Sequence, residues 1–365
     1  MDATNMDGLI SLADFERAAA AALDPAAHSY VAGGASSEIT LRDNQAAWKR
    51  LAIRPRMLVG VGQRDLSVEL LGRRRPHPVL IAPTAFQRLA HPEGEEATAR
   101  GAAATETILC LSTLATTTPE VTAQAAPGAD RWFQLYVFTD RGVSSELVAR
   151  AAAHGYEALV VTVDLPVPGV RERELRTEVR AGDASQVWGA AAAGVSGAMT
   201  PRQFGQLVDP DLNWSDIERF VAESPLPVLL KGILTAEDAV LAAEHGVAGV
   251  IVSNHGARQL DTVLAGADAL PEIADAVGDR LDVLVDGGIR HGSDVLKALA
   301  LGARAVLIGQ PAIWGLAVAG ADGVRRVVEI LLSEFDTALA LAGAPRATDL
   351  NRCFVTPARW VAPPL

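Results

Sequence analysis

Within Val250-Ile-Val-Ser-Asn-His-Gly-Ala-Arg-Gln-Leu-Asp261 an apolar, β-branched run turns abruptly polar. Val250-Ile-Val252 reads as a buried strand, and the residues after it as the loop that leaves its C-terminal end. His255 can give or take a proton near neutral pH. Arg258, three positions on, offers a planar fork of donors that suits a carboxylate or a phosphate. An acid–base group beside an anion clamp is one reading of the pair. A solvated loop histidine with a nearby arginine is the other, and the pair alone does not separate them.

The elements that would position such a pair decide between the two. From residue 79 onward, short apolar runs alternate with Ala-rich helical stretches. The runs are Val79-Ala82, Ile108-Leu111, Phe133-Val137, Ala158-Val163, Val228-Leu230, Val250-Val252, Val283-Val285 and Ala305-Ile308. Eight strands, most followed by a helix, predict an α/β fold of the (β/α)8 TIM-barrel type. A doubly wound sheet is the rival, but no Gly-x-Gly-x-x-Gly follows a strand, and Gly60-Val-Gly62 lacks the third glycine. Polar residues gather at the C-terminal ends of these runs, where barrels carry their chemistry. These ends carry Thr84 and Ala85, Ser112, Gln134 and Tyr136, Thr162 and Asp164, Lys231, Ser253 to Arg258, Asp286, and Gly309-Gln310.

The last two strand ends predict a phosphate site. Asp286-Gly287-Gly288 precedes a helix with Arg290 just beyond, and Gly309 precedes Gln310-Pro311. Flexible backbone and helix N-termini at one rim present N–H groups to an anion, and Arg290 can reach it.

Composition sets outer limits. At 365 residues and 49% hydrophobic the chain can bury a large core, and no apolar run is long enough to cross a bilayer. A formal charge of −12 opposes nucleic-acid and anionic-membrane binding. Cys110 and Cys353 suggest neither a disulfide framework nor a metal site, which fits a cytoplasmic setting. Met1 to Leu12 has no basic residue and does not read as a secretory signal, and Val361 to Leu365 is not a peroxisomal or prenylation address.

One domain is expected over 1–365: an N-terminal helical cap over 1–75, the barrel over 76–345, and a long lid loop after the fourth strand over 178–213. Ser11 to Ala22 and Leu41 to Leu51 read as helices in the cap, with Tyr30 and a Gly33-Gly34 turn between them. The segment 178–213 is rich in Ala, Gly and Ser and reads as a poorly ordered, mobile lid. Val324 to Leu341 reads as an amphipathic closing helix.

Six stretches, in this order, carry a resemblance: Ile81-Ala-Pro-Thr-Ala-Phe-Gln-Arg-Leu-Ala-His-Pro-Glu-Gly-Glu95, Trp132-Phe-Gln-Leu-Tyr136, Thr162-Val-Asp164, Lys231-Gly-Ile233, Ser253-Asn-His-Gly-Ala-Arg-Gln-Leu-Asp261 and Asp286-Gly-Gly-Ile-Arg290. The chain resembles the FMN-dependent 2-hydroxy acid oxidases and dehydrogenases, the family of glycolate oxidase, lactate oxidase and mandelate dehydrogenase. The resemblance implies FMN as cofactor and an (S)-2-hydroxy acid as substrate. It implies His255 as general base, with Asp164 fixing its tautomer. Arg171 and Arg258 would clamp the substrate carboxylate, and Tyr30 and Tyr136 would hydrogen-bond to the carboxylate or the hydroxyl. Without it, Arg171 in Arg171-Glu-Arg-Glu174 reads as a solvated charge run. Lys231 would lie beside the flavin ring and stabilise its reduced form. Gln134, Thr162 and Ser112 would bind the ring, Thr84 and Ala85 would face it, and Ser253 would also be among the cofactor-binding residues. Asp286 would hold the ribityl chain and Gly288, Arg290 and Gly309 the phosphate, with Gly287 and Gln310 also at the cofactor.

Three positions depart from the pattern. Gln310 stands where the family usually has arginine, Leu114 where glycolate oxidase has tryptophan, and Pro168 where a larger apolar residue is usual. The last two would open the substrate end toward an aryl or branched acid such as mandelate. Ala85 matches the oxidases, in which oxygen takes the electrons and hydrogen peroxide is released. The alternative within the family is a dehydrogenase with another acceptor; the alternative outside it is a flavin-binding scaffold without catalysis. The resemblance also implies a homotetramer.

Overall fold

The computed structural model describes residues 6–177 and 179–360. The readings of the two chain ends as free of sorting signals rest partly on residues outside that span, as does Glu178 at the start of the long connection.

Eight parallel strands close into a barrel in chain order: β1 (Val79–Ile81), β2 (Leu109–Ser112), β3 (Arg131–Leu135), β4 (Leu159–Thr162), β5 (Val228–Ile233), β6 (Gly249–Val252), β7 (Asp282–Asp286) and β8 (Ala305–Ile308). β8 pairs with β1 to complete the ring, Leu307 opposite Leu80. These strands are buried on both faces, which is why they read as continuous apolar runs. Alternate side chains part company, as a pleated strand requires. Leu80, Cys110, Trp132, Val160, Leu229, Ile251, Leu284 and Leu307 fill the interior, while Leu111, Phe133, Val161, Leu230, Val250, Val285 and Val306 meet the outer helices.

Helices follow the strands: α4 (Gly94–Ala103), α5 (Pro119–Ala125), α6 (Arg141–Ala153), α10 (Trp214–Glu223), α11 (Ala236–Glu244), α12 (Gly266–Val277), α13 (Gly292–Ala300) and α14 (Gln310–Ala342). α14 is broken by non-helical backbone at Ala319 and Gly320, so the expected closing helix is its second half.

The cap has three helices: α1 (Leu12–Ala22), α2 (Pro25–Ala32) and α3 (Ile39–Lys49). Ser11 and Asp14 form a capping box at the start of α1. α2 was not expected. Asp24 caps it, Pro25 occupies its first turn, and it carries Tyr30. α3 lies on the barrel rim: Trp48 donates its indole N–H to the Gly287 carbonyl at 2.9 Å, and Asp261 accepts from the Thr40 and Ile39 N–H groups at 2.8 and 3.2 Å.

A hairpin (Val68–Leu70 with Arg73–Arg75) turns through Leu71 and Gly72, both at positive φ, and Leu70 joins the cluster that fills the barrel. The connection after β4 differs from the structureless loop its composition suggests. It holds three short helices, α7 (Glu172–Thr177), α8 (Trp188–Ala192) and α9 (Pro201–Gly205). Trp188 and Phe204 anchor it. The Trp188 indole N–H donates to Ser112 O at 2.9 Å, and the Phe204 ring centroid lies 5.0 Å from that of Phe86.

Candidate active site

One cavity opens at the C-terminal rim of the barrel, between cap, strand ends and the connection after β4. It is lined at one end by Tyr30, Tyr136, Arg171, His255 and Arg258, and at the other by Gly288, Arg290, Gly309 and Gln310.

His255 sits at φ 59° and Ala257 at φ 61°, a left-handed conformation that costs a side chain energy and persists only where the surroundings impose it. They do so here. The His255 N–H donates to Ser253 Oγ at 3.0 Å, and the Ala257 N–H to Asn254 Oδ1 at 3.0 Å. Asn254 is itself locked by a reciprocal amide pair with Asn44 of α3, at 2.7 and 3.0 Å.

His255 Nδ1 lies 2.8 Å from Asp164 Oδ1, and its Nε2 lies 3.2 Å from the Tyr136 hydroxyl. A carboxylate only accepts, so Nδ1 carries the proton and Nε2 presents its lone pair toward the cavity. Burial holds His255 below the usual histidine value against the opposing charge of Asp164. Burial alone would raise Asp164, but the charge and hydrogen bond of His255 outweigh it and keep the carboxyl below its ordinary range. Burial pushes the Tyr136 and Tyr30 phenols up, so both stay protonated. Gly232 makes room for this pair: at φ +113°, a Cβ there would lie 2.6 Å from Asp164 Cβ. The same glycine marks a register shift between β5 and β6, which re-aims Lys231.

Arg171 and Arg258 lie together. Arg258 donates to the Tyr30 and Gly33 carbonyls at 2.7 and 3.0 Å, and its guanidinium stands 4.6 Å from the Tyr30 ring centroid. Arg171 Nε donates to Arg258 O at 2.9 Å. Both reach Glu174 of α7, Arg258 at 2.9 Å and Arg171 at 3.4 Å. Gln259 ties the two loops: it donates to the Asp164 and Val167 carbonyls, both at 3.0 Å, and accepts from Arg171 at 3.2 Å.

Deeper in, Lys231 Nζ pairs with Asp286 at 2.8 Å and donates to Ser253 Oγ at 2.6 Å. Burial would lower Lys231, but Asp286 and Asp164 outweigh it and hold the amine above the usual lysine value. At the far end burial pushes the Arg290 guanidinium down to about 10, and its charge stacks 4.7 Å from the Trp314 ring centroid. Gly288 is required by close approach: a Cβ there would fall 1.9 Å from the Asn44 carbonyl oxygen.

The cavity brings together Tyr30, Thr84, Ala85, Tyr136, Thr162, Arg171, Lys231, His255, Arg258, Asp286, Gly287, Gly288, Arg290, Gly309 and Gln310. Four of the expected residues stand behind its wall. Ser112 donates to Gln134 Oε1 at 3.2 Å, Ser253 supports Lys231 and His255, and Asp164 supports His255. Gln134, the fourth, still directs a buried amide Nε2 that has no partner. Sequence reasoning passed over Glu174, Gln259 and the Asn44–Asn254 pair. Glu174 is hidden in a charge run, and Gln259 and Asn254 lie inside the His255 stretch, where their amides were legible as polar but not as ties.

The closed parallel barrel carries at one rim a histidine–carboxylate pair and two arginines that share one carboxylate. The model of the FMN-dependent dehydrogenase family matches residues 19–357. An L-lactate oxidase from Nostoc is 46% identical, over 96% of this chain and 99% of its own. The human 2-hydroxyacid oxidase 1 is 42% identical, over 95% and 96%. Among solved structures, mandelate oxidase superposes with a TM-score of 0.86 at 41% identity, over 96% of this chain and 98% of that one. A flavocytochrome b2 variant with sulfite bound superposes with a TM-score of 0.88 at 35% identity, over 99% and 90%. The chain belongs to the FMN-dependent 2-hydroxy acid oxidase and dehydrogenase family, and its cofactor is FMN.

The residues present fit that cofactor. Gln134 Nε2, Thr162 Oγ1, Asp286 Oδ1 and Arg290 Nε are buried polar atoms without a protein partner. Such atoms are costly unless a ligand meets them. An amide, a hydroxyl, a carboxylate and a guanidinium suit in turn the polar edge of a flavin, the hydroxyls of a ribityl chain and a phosphate.

Proposed function

We propose that this protein oxidises an (S)-2-hydroxy acid with an aryl or branched side chain to the 2-oxo acid. Oxygen takes the electrons and hydrogen peroxide leaves. The observation that carries this reading is the Asp164–His255–Tyr136 chain, set beside Arg171 and Arg258 in one cavity with the unpaired cofactor-facing atoms.

FMN, when bound, supplies the two-electron acceptor. Arg171 and Arg258 bind and orient the substrate carboxylate, with the Tyr30 and Tyr136 hydroxyls as further donors. His255 accepts a substrate proton at Nε2, and Asp164 stabilises the imidazolium that forms. Its low pKa keeps His255 neutral and ready as a base at pH 7. Lys231 would supply a fixed positive charge beside the flavin. Gln134 and Thr162, with Ser112 behind Gln134, would hold the ring, together with the backbone of Thr84 and Ala85. Asp286 and Gly287 would hold the ribityl chain, and Gly288, Arg290, Gly309 and Gln310 the phosphate.

Leu114, Leu165 and Pro168 line the substrate end and give it an apolar wall, which supports a bulky side chain. The names of the relatives support oxygen as acceptor. The likeness to flavocytochrome b2 favours the second reading, a dehydrogenase with another acceptor. Free Cys110 and Cys353 support a reducing, cytoplasmic location. Exposed Met57, Leu58 and Leu341, on segments joined by the Arg56–Ala342 backbone bond, support self-association, which we take to be tetrameric. Oxygen uptake with (S)-mandelate, (S)-lactate and glycolate, with peroxide assayed in parallel, tests the reading. Peroxide equal to oxygen consumed, with mandelate fastest, is expected. Turnover with an artificial acceptor and none with oxygen would favour the dehydrogenase.

A further inference from the structure

The last turn of α2 is held by side chains from both ends of the cavity. Helix ends leave carbonyls without an intrahelical partner. At the end of α2, Arg258 donates to the Tyr30 and Gly33 carbonyls at 2.7 and 3.0 Å. Between them, the Val31 carbonyl accepts from Gln310 Nε2 at 2.9 Å. Arg258 belongs to the anion clamp. Gln310 opens α14 at the far end, where its Oε1 accepts from Arg290 Nη2 at 2.5 Å.

The orientation of that amide is forced. Arg290 has donors only and the Val31 carbonyl is an acceptor only, so one arrangement of Gln310 satisfies both. Arg290 is itself incompletely held. Nη1 donates to Ile289 O at 3.0 Å, Nη2 to Gln310, and Nε is buried without a partner. An anion at Nε would complete the set, fix the guanidinium and so fix the amide. The amide in turn holds the Val31 carbonyl, and with it the turn that presents Tyr30 and seats Arg258.

We propose that Gln310 is a positioning residue that couples an anion at Arg290 to the carboxylate clamp at Arg258 through the last turn of α2. Loading the phosphate end tightens binding at the substrate end, and by linkage the reverse holds. The inference rests on the reading of this cavity as one that takes a phosphate-bearing flavin and a carboxylate.

The test compares wild-type apoprotein loaded with FMN and with riboflavin, which lacks the phosphate. Oxalate, a dicarboxylate with no hydroxyl to oxidise, is titrated against each, and its Kd is read from the change in flavin absorbance. Oxalate is expected to bind at least about fivefold more weakly to the riboflavin form. Inorganic phosphate restores the affinity, and chloride at equal ionic strength does not. In Gln310→Ala, and in Gln310→Met, which keeps the side-chain length, oxalate binds equally with either flavin. Equal affinity in the two wild-type forms overturns the coupling, and so does a difference that survives both substitutions. If the difference is found but no 2-hydroxy acid reduces the flavin, the coupling stands and the substrate reading falls.

Discussion

Arg258 donates to Glu174 Oε1 at 2.9 Å, and Arg171 approaches the same oxygen at 3.4 Å, so one buried carboxylate holds both arginines of the proposed clamp. Two guanidinium groups in one pocket repel each other, and burial lowers Arg171 while Arg258 lowers it further. Glu174 compensates that charge, and in the proposed function the remaining donors take the substrate carboxylate.

Glu174→Gln removes the compensating charge while keeping the shape. Taking one partner from a buried ion pair costs about 3 kcal/mol or more. The variant should melt well below the wild type, and saturating oxalate should raise its Tm by more than it raises that of the wild type. Equal Tm increments would show that the arginines do not depend on Glu174.

His255→Asn should leave the protein yellow and cut kcat by about 10²-fold or more. The base works when neutral, so in the wild type kcat/KM rises with pH through the His255 pKa and is flat above it. Burial places that limb below the ordinary histidine value of 6.5. Asp164→Asn removes the charge that opposes burial. The limb should move to still lower pH as kcat falls, which a kcat/KM profile from pH 4 to 9 would reveal.

Lys231→Met strands Asp286. Its Oδ2 loses the ammonium 2.8 Å away, and Oδ1 has no protein partner already. The apoprotein should lose about 3 kcal/mol in urea unfolding. Loaded protein should reduce more slowly with any substrate, by about 10²-fold, because the fixed charge beside the ring is gone. Unchanged reduction rates would remove Lys231 from the chemistry.

Leu114→Trp fills the substrate end of the cavity. It should lower kcat/KM for mandelate about tenfold or more and leave glycolate within about threefold. A uniform loss on both would place Leu114 away from the side chain of the substrate.

The barrel was legible because strands buried on both faces must be apolar throughout, and all eight runs fell on the observed strands. α2 was not, because its eight residues are too few for a periodic signal, and Tyr30 stood out only as a tyrosine ahead of the Gly33-Gly34 turn. The same holds for α8 and α9, five residues each, which are fixed by Trp188 and Phe204 and not by propensity. Arg171-Glu-Arg-Glu174 taken alone reads as a solvated charge run, yet Arg171 and Glu174 face inward. Arg75, inside another run of charge, is 4% exposed and pairs with Asp130 and Glu157. A sequence shows charge but not the side it faces. The site itself was legible as types at strand ends; what supports it crosses between distant segments and was not.

The most direct measurement is the visible spectrum of the purified protein under anaerobic conditions, before and after (S)-mandelate, (S)-lactate and glycolate. Bleaching of the oxidised flavin band is predicted, fastest with mandelate and slowed by orders of magnitude in His255→Asn, with colour and peroxide returning on admission of air. A yellow protein that none of the three bleaches, or one that His255→Asn bleaches as fast as the wild type, would contradict the account.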